Sequence, residues 1–69
     1  MNAQELRENS IEELREEEKR IRNDIFETEF KHATRQLTDT ASIGRMKKDL
    51  ARVLTVIGQK QREAAASHG

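Results

Sequence analysis

Apolar residues recur along two stretches of the chain with helical spacing, and polar residues fill the positions between them. In the C-terminal stretch, Ile43, Met46, Leu50, Val53 and Ile57 follow a strict three-four alternation, the narrow seam of a helix packed against one other helix. The N-terminal stretch carries two stripes. At about 100° per residue, Ile11, Leu14, Ile21 and Ile25 share one face, while Phe26, Phe30, Ala33 and Leu37 share another, rotated by roughly a third of a turn. Ser10 followed three residues later by Glu13 is a capping-box pattern that starts a helix at Ile11. Between the stretches, Thr38 to Ser42 is a polar break with Asp39, Thr40 and Ser42 as candidate N-caps, and so short a connection joins antiparallel neighbours.

The pattern predicts an all-α fold: an antiparallel two-helix hairpin, with long helices over about 11–37 and 42–62 and a short N-terminal helical turn around Leu6 and Arg7. Proline is absent and glycine occurs only at Gly44, Gly58 and Gly69, so little in the backbone chemistry interrupts a helix. Folding the chain about residue 40 places Ile43 near Leu37, Met46 near Ala33, Leu50 near Phe30 and Val53 near Phe26. That arrangement spends the second stripe on the core. It leaves Ile11, Leu14, Ile21 and Ile25 partly uncovered, the mark of a docking surface for a protein partner or of a place for a terminal segment to fold back. Residues 1–62 form the single domain in this reading, and 63–69 form a flexible C-terminal tail.

Composition narrows the function. With 69 residues, 33% of them hydrophobic and 38% charged, the chain buries too little surface for a multi-layer enzyme, and partner binding is the natural way to close the deficit. Cysteine is absent, which removes disulfides, thiolate nucleophiles and cysteine-ligated metals. No glycine-rich loop cradles a nucleotide, since Gly44 and Gly58 stand alone, and His32 is a lone histidine on a helix while His68 sits in the tail. The expectation is a non-enzyme without cofactor, metal or small-molecule substrate. No apolar run approaches the roughly 18 to 20 residues of a membrane span, and Met1 to Glu8 lacks the form of a signal peptide, so a cytoplasmic location is expected.

The net charge of zero conceals a division. Residues 1–30 carry ten acids and five bases, and residues 31–69 carry three acids and eight bases. A basic half meets phosphate while an acidic half faces water or protein. Arg45, Lys48 and Arg52 project from one face of the second helix, about 140° from its apolar seam, with Lys47 beside them. On spacing alone this is either a solvated face or a phosphate-binding one. The acidic cluster Glu12 to Glu18 fans around its helix and reads as a solvated surface.

An ordered set of residues carries a resemblance. Leu6-Arg7, Ser10-Ile11-Glu12-Glu13-Leu14, Phe26, Ala33-Thr34 with Gln36-Leu37, Lys47 to Val53, and Thr55-Val56-Ile57 together resemble the large-subunit ribosomal protein L29 family of the bacterial type, without a gap over three quarters of the chain. The resemblance implies a structural constituent of the large ribosomal subunit, bound to ribosomal RNA near the peptide exit tunnel beside the ribosomal protein numbered twenty-three. By position, Gln36, Lys47, Lys48, Arg52 and Thr55 match the family's RNA-facing or strongly patterned residues. Phe26, Leu37, Leu50, Ala51 and Val53 match its hairpin core. Arg35 and Arg45 join the RNA-facing set as cations at and after the loop. The family commonly has leucine where this chain has Glu18 and Thr28, glycine at Arg35, a base at Gly44 and lysine at Leu54. The rival expectation is a free hairpin that self-associates or acts as an adaptor through Ile11, Leu14, Ile21 and Ile25.

Overall fold

The computed structural model describes residues 2–36 and 40–68, and these form three helices: α1 (Ala3–Arg7), α2 (Ile11–Ala33) and α3 (Ala41–His68). The starts of α1 and α2 have local causes. Asn2 accepts the Glu5 amide at 2.8 Å to begin α1. At the head of α2 the capping box is complete: Ser10 Oγ accepts the Glu13 amide at 3.1 Å, and Glu13 Oε1 accepts the Ser10 amide at 3.0 Å. Donation to its carboxylate from the Ser10 amide first, and from the nearby Ser10 hydroxyl second, holds the Glu13 carboxyl below the usual carboxylate range.

α2 stops at Ala33, four residues before the expected end, and the reason is Arg35. Its φ of 62° is left-handed, unlike that of any other described non-glycine residue. The backbone then closes a Schellman motif, with the Arg35 amide donating to His32 O at 3.1 Å and the Gln36 amide to Lys31 O at 2.8 Å. Leu37 and the candidate cap Asp39 lie outside the described residues. α3 begins directly after Thr40, which puts Ser42 inside the helix. It continues to His68, so the expected end at 62 is corrected: Ala64, Ala65 and Ala66 have the highest helix propensity of any residue and carry the helix onward.

α3 packs against both α2 and α1, and the product is a rod of 52 × 17 × 15 Å. The core consists of Leu6, Leu14, Ile21, Val53, Val56 and Ile57, with Ile25 and Leu50 packed against it. The expected seam of α3 faces inward as predicted. The stripe chosen from α2 does not. Leu14 and Ile21 are buried, Ile25 packs on the core and Ile11 is half-buried, so the first stripe is the core face and is not a free docking strip. Phe26 and Phe30, expected in the core, are 70% and 59% exposed.

The geometry of the seam explains the exchange. Positions 11, 14, 18, 21, 25 and 28 keep the same three-four alternation as α3, so two matching seams meet. Glu18 and Thr28 occupy two of those positions and disguise the run. Glu18 leaves the seam at its edge, where Arg22 at 2.9 Å and Arg15 at 3.2 Å pair with it. Hydrogen bonds from Arg22, then Arg15, lower its pKa. The Thr28 hydroxyl donates to Met46 Sδ at 3.8 Å. Met46 therefore meets Thr28 rather than Ala33, a shift of five residues from the pairing expected by folding about residue 40. Arg7 Nη2 donates to Gln59 Oε1 at 2.7 Å and ties α1 to the far half of α3.

Candidate nucleic-acid interface

The seam fixes which residues α3 turns outward. Arg45, Lys48 and Arg52 stand three and four positions apart on the face away from Val53 and Ile57, and all three are exposed. Asp49 lies beside Arg52, whose Nη1 reaches its Oδ1 at 3.2 Å. Such an exposed pair contributes roughly 0–1 kcal/mol, little enough for a phosphate to replace the carboxylate.

Thr55 extends this face with a distinct chemistry. Its hydroxyl donates to the Ala51 carbonyl of its own helix at 2.8 Å, so it presents only acceptor lone pairs outward. An acceptor suits a ribose 2′-hydroxyl and not a phosphate.

Lys47 does not share the outer face. It points to the side of the hairpin, where Nζ pairs with Glu29 Oε1 at 3.4 Å. There it lines an open groove with Arg22, Ile25, Phe26 and Leu50. Arg35 and Gln36 stand exposed at the end of α2, held by the Schellman backbone. The predicted residues thus divide into an outer face (Arg45, Lys48, Arg52, Thr55), a loop pair (Arg35, Gln36) and a lateral lysine. Outside the expected set stands one more exposed strip, on α2, ending in Phe26 and Phe30. Its spacing is readable in the sequence once the core face is known.

On the opposite side Arg20 pairs with Glu17 and with Asp24, the latter at 3.1 Å. The Arg20 hydrogen bond holds the Glu17 carboxyl below its usual value. Among the described residues no group of His, Asp and Glu is placed to hold a metal ion, and no helix is long and apolar enough to cross a membrane.

The described residues form a helical hairpin clasped by a short third helix, a small all-α protein with cations exposed along one face of α3. Comparison with known sequences makes the class specific. Residues 4–60 match the family described as Ribosomal L29 protein. The chain is 48% identical over 62 residues to the large ribosomal subunit protein uL29 of Sorangium cellulosum, covering 90% of this chain and 92% of that protein. It is 43% identical over 65 residues to the protein of that name from Ruegeria pomeroyi, covering 94% and 98%, and 42% identical over 60 residues to that of Nitratidesulfovibrio vulgaris, covering 87% and 98%. The chain belongs to the ribosomal L29 protein family.

Proposed function

We propose that this chain is a structural constituent of the large ribosomal subunit in the cytoplasm, and that it binds ribosomal RNA near the peptide exit tunnel. The family is structural and non-enzymatic. The observation that carries the RNA reading is the outer face of α3, where Arg45, Lys48 and Arg52 are exposed together. Arg35 and Gln36 extend the interface to the loop, Lys47 to the lateral groove, and Thr55 supplies an acceptor for a 2′-hydroxyl. The ribosomal protein numbered twenty-three is the proposed protein neighbour.

The adaptor reading loses its basis, because Leu14 and Ile21 are spent on the core.

The test is binding of the purified chain to deproteinised large-subunit ribosomal RNA across a salt series. Lys48→Ala and Arg52→Ala are each expected to weaken binding and to lower the slope of log K against log salt by about 0.7 to 0.9 for every phosphate that is no longer neutralised. Unchanged affinity and slope in both variants would remove the outer face from the interface.

A further inference from the structure

The chain has two aromatic residues, and the fold exposes both. Phe26 and Phe30 sit one turn apart on α2, outside the core, and Leu54 on α3 is 37% exposed. Phenyl rings in water signal a partner that the isolated chain does not have.

The rings end a longer strip. Arg15, Lys19, Arg22, Phe26 and Phe30 succeed one another at steps of four, three, four and four along α2, which places them on one helical face. α2 as a whole carries eight acids and five Lys or Arg residues. Of its acids, Glu13, Glu17, Asp24 and Glu27 face away from this strip, Glu16 and Glu18 stand beside it as partners of its cations, Glu29 stands beside it as the partner of Lys47, and Glu12 lies at its N-terminal end. The strip therefore sets two phenyl rings beside cations whose carboxylate partners lie along its edges. Each cation has a carboxylate partner, in Arg15 with Glu18 at 3.2 Å, Lys19 with Glu16 at 3.7 Å and Arg22 with Glu18 at 2.9 Å. The cationic side chains are 47%, 77% and 56% exposed, so a phosphate can take over from the carboxylates at little cost.

A second copy of the chain does not fit the strip. Two phenyl faces supply roughly 250 Å², against about 800 Å² per partner in a stable complex. A parallel symmetric pairing would also bring cations against cations.

We propose that this strip is a second RNA-binding surface, on the lateral side of the hairpin. Phe26 and Phe30 pack on unstacked bases or ribose there, while Arg22 and Lys47 take the flanking phosphates. The proposal rests on the RNA-binding reading above and carries it from Lys47 across the lateral groove onto the Phe26 and Phe30 strip of α2.

The experiment has two arms. A benzophenone-bearing phenylalanine analogue placed at position 26 of the full chain, assembled into ribosomes and irradiated, is expected to yield an adduct with RNA. An adduct with protein alone, or none in particles that contain the chain, overturns the proposal. The second arm measures affinity for deproteinised large-subunit ribosomal RNA, and it decides if the analogue blocks assembly. Phe26→Ala is expected to lose about five-fold or more at an unchanged salt slope and helicity, with Phe26→Tyr restoring binding and Phe26→Leu failing to. Parental affinity in Phe26→Ala overturns the proposal: it fails alone if Lys48→Ala and Arg52→Ala weaken binding, and together with the RNA reading if they do not.

Discussion

Replacing Arg35 with glycine isolates the cost of one backbone conformation. Arg35 holds a φ of 62° at the end of α2, where a Cβ crowds the carbonyl and costs roughly 1–2 kcal/mol. Glycine removes that strain but gives the unfolded chain more freedom, an offset of about 0.5–1 kcal/mol. The two Schellman bonds, at 3.1 and 2.8 Å, run through backbone atoms and survive the change. The arginine charge near a helix C-terminus contributes about 0.3–1 kcal/mol by itself, so Arg35→Ala serves as the reference that lacks the charge and keeps the Cβ. The glycine variant is expected to exceed the alanine variant by about 1 kcal/mol. For a chain this short that is a rise in Tm of about 4–8 °C, read by far-UV circular dichroism and checked by urea unfolding. Equal stability of the two variants would refute a strained left-handed Arg35. On this expectation Arg35 exchanges stability for a cation at the end of α2.

Leu14, at 0% exposure, is expected to cost about 2–4 kcal/mol as Leu14→Ala, whereas Phe26→Ala should stay within about 0.5 kcal/mol of the parent. Similar losses in urea unfolding would return the second stripe to the core. Glu18→Leu exchanges a side chain only 16% exposed for one that suits the seam. Burial worth about 1.5 kcal/mol outweighs two exposed pairs totalling about 1 kcal/mol or less, so Tm should rise, and a fall would show that position 18 does not face α3. Glu13, Glu17 and Glu18 have folded pKa values below the ordinary 4.5. Their contribution is complete above that value and is lost as pH falls through the lower folded values, so the urea midpoint should drop between about pH 5 and 2. A flat profile, or one unchanged by Glu13→Gln, would contradict it.

Much of this architecture is legible without coordinates. Ser10 and Glu13 announce the start of α2, and the alternation from Ile43 to Ile57 is the observed seam. The choice between the α2 stripes is not legible from apolar residues alone. Glu18 and Thr28 interrupt the true seam, and the large phenyl groups of Phe26 and Phe30 make the false one look heavier. What decides is geometry, since only the first set keeps the spacing of α3. Val56 escapes for another reason: it lies off the seam, on the side where α1 packs, and the period of α3 contains no trace of α1. The outer face of Arg45, Lys48 and Arg52 follows from the seam, whereas the lateral position of Lys47 depends on the register that places it opposite Glu29.

The buried residues are gathered at one end of the rod. Leu6, Leu14, Ile21, Val53, Val56 and Ile57 all lie in the half that α1 clasps, while Ile25, Thr28, Ile43, Met46 and Leu50, nearer the turn, are only half covered. Mechanically this is a clasp, fastened at the α1 end and looser where α2 ends and α3 begins. Local opening starts at the looser end, and amide exchange around Ile25 and Met46 outpaces exchange around Ile21 and Val53. The fastened end keeps the two helices in register. The cations at Arg35 and Arg45 ride at the looser end, so they can follow an uneven groove without the core being remade.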